Sequence, residues 1–124
     1  MTENEISYQI RGAIYDVYTK MGPGLLECVY EEALVLELVK RGLKVERQKE
    51  IPIFYDGHLL NTHLRLDLLV ESKVIVELKS VSELQNVFFK QLLTYLKLSD
   101  KRLGILVNFN VDDILHDAIF RVVN

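Results

Sequence analysis

Two short runs near the middle of the chain, Arg65-Leu66-Asp67-Leu68-Leu69-Val70 and Val74-Ile75-Val76-Glu77-Leu78-Lys79, restrict the fold more than any other feature of the sequence. In the first, Leu66, Leu68 and Val70 alternate with Arg65, Asp67 and Leu69. In the second, Val74, Val76 and Leu78 alternate with Ile75, Glu77 and Lys79, so both carry the period of two that marks a strand. With Glu71 to Lys73 as the connecting loop, antiparallel pairing sets Val70 against Val74, Leu68 against Val76 and Leu66 against Leu78, apolar on apolar. The same register sets Asp67 against Glu77. A slip of one residue would send every side chain to the wrong face, so this register is strongly specified.

Opposed residues on one face of an antiparallel pair have Cβ atoms roughly 4.5 to 5.5 Å apart, and like charges there repel. The arrangement asks for a cation. Two carboxylates at that spacing can share a hard divalent ion, and Lys79, two residues beyond Glu77, projects from the same face.

The rest of the chain supplies helices to cover such a sheet. Thr2-Glu3-Asn4-Glu5 is a capping box, and Ile6, Ile10, Ile14, Val17, Tyr18 and Met21 follow at helical spacing. Gly22-Pro23-Gly24 breaks that helix. A second helix is expected from about Leu25 or Leu26 to Arg41, with Gly42 as its terminator. Its apolar residues nearly encircle it, which makes Glu27 in the first turn notable. Glu27 either complements the helix dipole or, with Tyr30 on the same side at i+3, belongs to a site.

From Leu43 to Tyr55 the pattern is extended, with Pro52 predicting an edge or a bulge, and Asp56-Gly57 predicts a hairpin turn. His58 to His63 return as the partner strand or lead without a break into the Asp67 strand. Ser80-Val81-Ser82-Glu83 reads as a second capping box, opening a helix that includes Phe88, Phe89, Gln91, Leu92, Tyr95 and Leu96. Gln91 and Tyr95 share a face at i and i+4. That face is either a partly exposed edge or the one that looks towards the acidic pair. Leu103 to Val107 is a buried central strand, and the tail reads as a late strand over Ile119 to Val123.

The 124 residues, 49% of them hydrophobic, suit one globular domain over the whole chain. Fifteen Lys and Arg against 18 Asp and Glu leave a net charge of -3 and no general basic field, so any contact with nucleic acid must be local. Cys28 is the one cysteine, and with His58, His63 and His116 scattered there is no zinc-ligand spacing. With no leader-like or long apolar segment, a cytoplasmic setting without membrane association is expected.

Asp67 followed by Glu77-Leu78-Lys79 on the next strand resembles the D…E-x-K signature of the PD-(D/E)XK nuclease superfamily. Gly24-Leu25-Leu26-Glu27-Cys28-Val29-Tyr30 is similar to the G-x-x-E-x-x-Y motif that names a family of small bacterial and archaeal proteins within it. Gln91-Leu92-Leu93-Thr94-Tyr95 resembles the Q-x-x-x-Y element of RecB-like nucleases, and Gly104 to Phe109 looks like the strand after that helix. The resemblance spans nearly the whole chain. It departs at Leu66, where many members have proline, and at Phe88-Phe89-Lys90, where many carry a histidine before the glutamine.

The resemblance implies an α/β, restriction-endonuclease-like α-β-β-β-α-β core, a mixed sheet flanked by helices. It also implies metal-dependent hydrolysis of the phosphodiester bonds of DNA or RNA. Glu27, Asp67, Glu77 and the Leu78 backbone carbonyl would then hold Mg²⁺ or Mn²⁺, and Lys79 would orient the attacking water or neutralise developing charge. Tyr30, Gln91 and Tyr95 take accessory parts in that reading. The alternative is a non-catalytic module that keeps the fold and binds nucleic acid or a protein, and a homo-oligomer stays open under either.

Overall fold

In the computed structural model, residues 1–124 form α1 (Glu3–Met21), α2 (Glu27–Lys40), β1 (Val45–Tyr55), β2 (His58–Val70), β3 (Val74–Lys79), α3 (Asn86–Ser99), β4 (Leu103–Asn108) and β5 (Ile119–Val123). The five strands make one sheet in sequential order. Neighbours are antiparallel except β3 and β4, which run parallel because α3 carries the chain back across the sheet. From α2 to β4 this is the expected α-β-β-β-α-β succession within a mixed sheet flanked by helices.

Helices cover both faces. Ile6, Ile10, Ala13, Ile14 and Val17 of α1 and Tyr30, Leu34 and Leu38 of α2 join Leu68, Val70, Val74, Val76, Leu78, Ile105 and Val107 in the larger core. Leu92 and Leu96 of α3 close a smaller core on the other face with Leu66, Leu69, Ile75 and Leu106. The pairs Leu68–Val76, Leu69–Ile75 and Val70–Val74 match the predicted register. One expectation fails: Leu66 does not share a face with Leu68 and Val70 but packs in the α3 core with Leu69, because β2 turns over at Asp67.

The helix ends follow their local chemistry where nothing distant competes. Thr2 Oγ1 accepts the Glu5 N–H and the Glu5 carboxylate accepts the Thr2 N–H, both at 3.2 Å, closing the predicted capping box on α1. At the end of α2, Gly42 at φ +83° lets the Leu43 N–H return to the Leu38 carbonyl at 3.1 Å. The expected capping box at Ser80 is absent. The Ser80 hydroxyl donates to the Leu25 carbonyl at 2.6 Å, tying the end of β3 to the loop before α2, and α3 begins only at Asn86 without a side-chain cap.

Asp56 and Gly57, both at positive φ, make the two-residue hairpin turn, and β2 then runs unbroken from His58 to Val70. The ladder shifts between Pro52 and Phe54, as the proline predicts.

Candidate active site

The regular ladder between β2 and β3 stops at Leu68–Val76. Beyond it the strands are held by side chains. The Asp67 N–H donates to Glu77 Oε2 at 2.8 Å, and the Leu78 N–H donates to Asp67 Oδ2 at 2.9 Å. Each carboxylate thus stands where a ladder carbonyl would, and the two residues brought together are those the register predicts. Glu77 is only 7% exposed. Burial, then the neighbouring Asp67 charge, pushes its carboxyl up to about 8. Asp67 is raised as well, first by burial, with the Leu78 N–H opposing and the Glu31 and Glu27 charges adding.

Glu77 and Lys79 alternate with Val76 and Leu78, so they face α3 rather than the larger core. Lys79 Nζ lies 4.5 Å from the centroid of the Phe88 ring on that helix. It forms no ion pair. Its charge nonetheless lowers both carboxyls of the pair, against the larger effect of burial. Tyr95, half-buried on α3, feels the same pair, because burial first and then Glu77 and Asp67 raise its hydroxyl above the ordinary tyrosine value. Gln91, one turn earlier, is exposed.

The two motif residues of α2 behave differently. Tyr30 is fully buried, its ring stacked on Phe109 at 4.3 Å between centroids and 5° between planes. Its hydroxyl donates to the Gly22 carbonyl at 2.6 Å and accepts the Leu25 N–H at 3.1 Å. Tyr30 therefore fixes the Gly22–Pro23–Gly24 loop and sets where α2 begins, acting from the core. Glu27 opens α2 beside a groove lined by Leu25, Leu26, Cys28 and Ser80. Among the causes that shift Asp67, Glu27 is the smallest, and no three carboxylate, imidazole or thiol groups converge closely enough to hold a metal ion.

A carboxylate missed in the sequence bears on the pair more strongly. Glu31, 6% exposed, raises both Asp67 and Glu77, and on Asp67 it outweighs Glu27. It lies one helical turn beyond Glu27, an i+4 relation that could have flagged it. Its oxygens are taken by Arg47 Nε at 2.5 Å and Gln48 Nε2 at 2.7 Å.

The donor set suits a hard divalent ion in part. A buried and a half-buried carboxylate interlocked through backbone N–H groups, both with raised carboxyls, are a natural pair of oxygen ligands for a cation. The third predicted carboxylate, Glu27, does not join them in this arrangement.

The sequence model of the PD-(D/E)XK nuclease superfamily matches residues 4–122. The structure is similar to the crystal structure of SSO0001, with a TM-score of 0.51 and 20% identity, a likeness that shows the fold alone. The alignment covers 93% of this chain and 66% of that one, so this chain spans just under two thirds of that protein's length. No curated protein matches the sequence.

Proposed function

The chain belongs to the PD-(D/E)XK nuclease superfamily, and from that premise we propose that it hydrolyses phosphodiester bonds of nucleic acid at Asp67, Glu77 and Lys79. The observation that carries the reading is the interlocked Asp67–Glu77 pair with an ammonium group free of ion pairs on the same strand. Nucleases of this superfamily generally use divalent metals. Mg²⁺ or Mn²⁺ held by Asp67, Glu77 and the Leu78 carbonyl, with Glu27 as the outlying carboxylate, would lower the pKa of a bound water and polarise the phosphate. Lys79 then neutralises negative charge that develops on the phosphoryl oxygens. Tyr95, whose hydroxyl feels the pair from α3, and Gln91, exposed one turn earlier on the same helix, would take accessory parts. Glu27 and Tyr30, at motif spacing where α2 begins, support assignment to the GxxExxY family within the superfamily.

The test is cleavage of single- and double-stranded DNA and RNA with Mg²⁺ or Mn²⁺, by the wild type and by Lys79→Ala. Losing one pre-organised charge stabiliser costs on the order of 10² to 10³ in turnover. Lys79 is no metal ligand in this reading, so Mn²⁺ affinity should survive the substitution. Asp67→Ala should lose affinity and turnover together. A wild type that cuts none of the four substrates sinks the enzyme reading. The binding module would then take its place, a reading that the position of Glu27 outside the pair favours.

A further inference from the structure

β1 carries one residue in the left-handed region, and it is not a glycine: Gln48, at φ +52°. Counted from the flanking pairs Arg47–Leu68 and Lys49–Leu66, Gln48 stands opposite Asp67, yet the two do not pair. Both strands change faces at this point. On one side, Leu68 and Val70 belong to the larger core and Val45 packs against it. On the other, Leu66 belongs to the α3 core and Ile51 packs against that one. A regular strand keeps residues two apart on a common face, so the turnover lies at Asp67 in β2 and at Gln48 in β1.

A left-handed conformation is unfavourable for any residue with a Cβ, and the surroundings must hold it. The holding contact is the hydrogen bond from Gln48 Nε2 to Glu31 Oε1, at 2.7 Å. Glu31 is itself fixed on α2 and bound through its other oxygen by Arg47, the residue before Gln48. Asp67, released from β1, turns its carboxylate to the Leu78 N–H and its own N–H to Glu77.

We propose that Gln48 and Glu31 are positioning residues for Asp67: the bond between them holds the kink in β1 that delivers the Asp67 carboxylate to the Leu78 N–H. The bearing of this brace on catalysis rests on the nuclease reading, whereas the geometry itself does not. A mere tie between α2 and the sheet would make a different prediction, since its loss would loosen the neighbouring strands alike.

The Leu78 amide is the reporter, because its hydrogen-bond acceptor is the Asp67 carboxylate. Hydrogen exchange is to be followed by NMR in the metal-free protein of 124 residues. In Gln48→Ala and Glu31→Ala the Leu78 amide should exchange about tenfold faster, the scale of one net hydrogen bond. The Ile75 and Ile105 amides, inside the regular sheet, should keep their wild-type rates. Glu31→Gln retains a carbonyl oxygen for the Gln48 amide and should preserve the protection of Leu78. Gln48→Gly lacks the amide but adopts the left-handed backbone without strain, so it should protect Leu78 better, and melt no lower, than Gln48→Ala.

Wild-type exchange at Leu78 in Gln48→Ala, or protection lost evenly across the sheet, would overturn the proposal. A parallel Mn²⁺ titration separates the two readings. Wild type that binds no Mn²⁺ counts against the nuclease assignment, and the exchange result then still decides the brace. If wild type binds Mn²⁺ and Gln48→Ala binds it equally well, the positioning role fails.

Discussion

In the metal-free protein the Glu77 carboxyl, pushed up to about 8, keeps its proton at neutral pH, whereas in the unfolded chain it titrates near its ordinary 4.5. The folded state binds that proton more tightly. The resulting stability is complete below pH 4.5 and is lost as pH rises through about 8. The urea midpoint of the metal-free wild type should therefore fall between about pH 5 and pH 9. Glu77→Gln, whose carboxamide oxygen can still accept the Asp67 N–H, should lose much of that slope. An unchanged slope would mean that another group is responsible. Stabilisation by added Mg²⁺ should grow over the same interval, since binding must displace the proton. The meeting of Asp67 with Glu77 was legible in the sequence because a period of two in two adjacent runs sets the register as far as Leu68–Val76, whereas the turnover of β2 at Asp67 was not. Glu31 was not, because an acid on a helix announces neither its burial nor its partners. Gln48 was invisible, since glutamine carries no local preference for a left-handed backbone and the contact holding it comes from α2.

At the level of elements, α3 and β4 approach closely at Gly104, where an added Cβ would lie 2.8 Å from Leu92 Cδ1. Leu92 is 1% exposed, packed in the smaller core with Leu66, Ile75 and Leu106. Gly104→Ala should force α3 outward and cost about 1 to 3 kcal/mol, measurable by chemical denaturation. Turnover should fall with it, because α3 carries Tyr95 and the Phe88 ring under Lys79. Tyr30→Phe tests the other helix. It keeps the stack on Phe109 but deletes the hydroxyl between the Gly22 carbonyl and the Leu25 N–H, for an expected loss of about 1 to 3 kcal/mol in the same measurement. Element types were readable wherever the deciding contact is local, as at Thr2 and Glu5, at Asp56-Gly57, and at Gly42. The start of α3 was misread for the opposite reason. Ser80 has the chemistry of a cap, but its hydroxyl is bound by Leu25, 55 residues away in sequence.

Across the whole molecule, no helix is long and apolar enough to cross a membrane. The sheet divides into two kinds of connection. β1, β2 and β3 follow one another through a two-residue turn and a three-residue loop, while β3 reaches β4 only through α3. Short-range pairing closes small loops and forms quickly, and the parallel crossover must first bear a larger entropy of closure. The β1–β2–β3 meander is therefore the expected folding nucleus. Gly57→Ala, strained at φ +77°, should slow refolding in stopped-flow measurements, whereas Val107→Ala in β4 should chiefly speed unfolding. The reverse assignment of the two limbs would place the nucleus at the crossover. In the expected order, the three-residue loop after Val70 brings Asp67 and Glu77 together while the meander is still half-wet, before α3 has closed over them. Their mutual repulsion is then met in water, where it is weak, and the desolvation that raises their carboxyls falls on the downhill side of the folding barrier, slowing neither nucleation nor the first pairing of the strands.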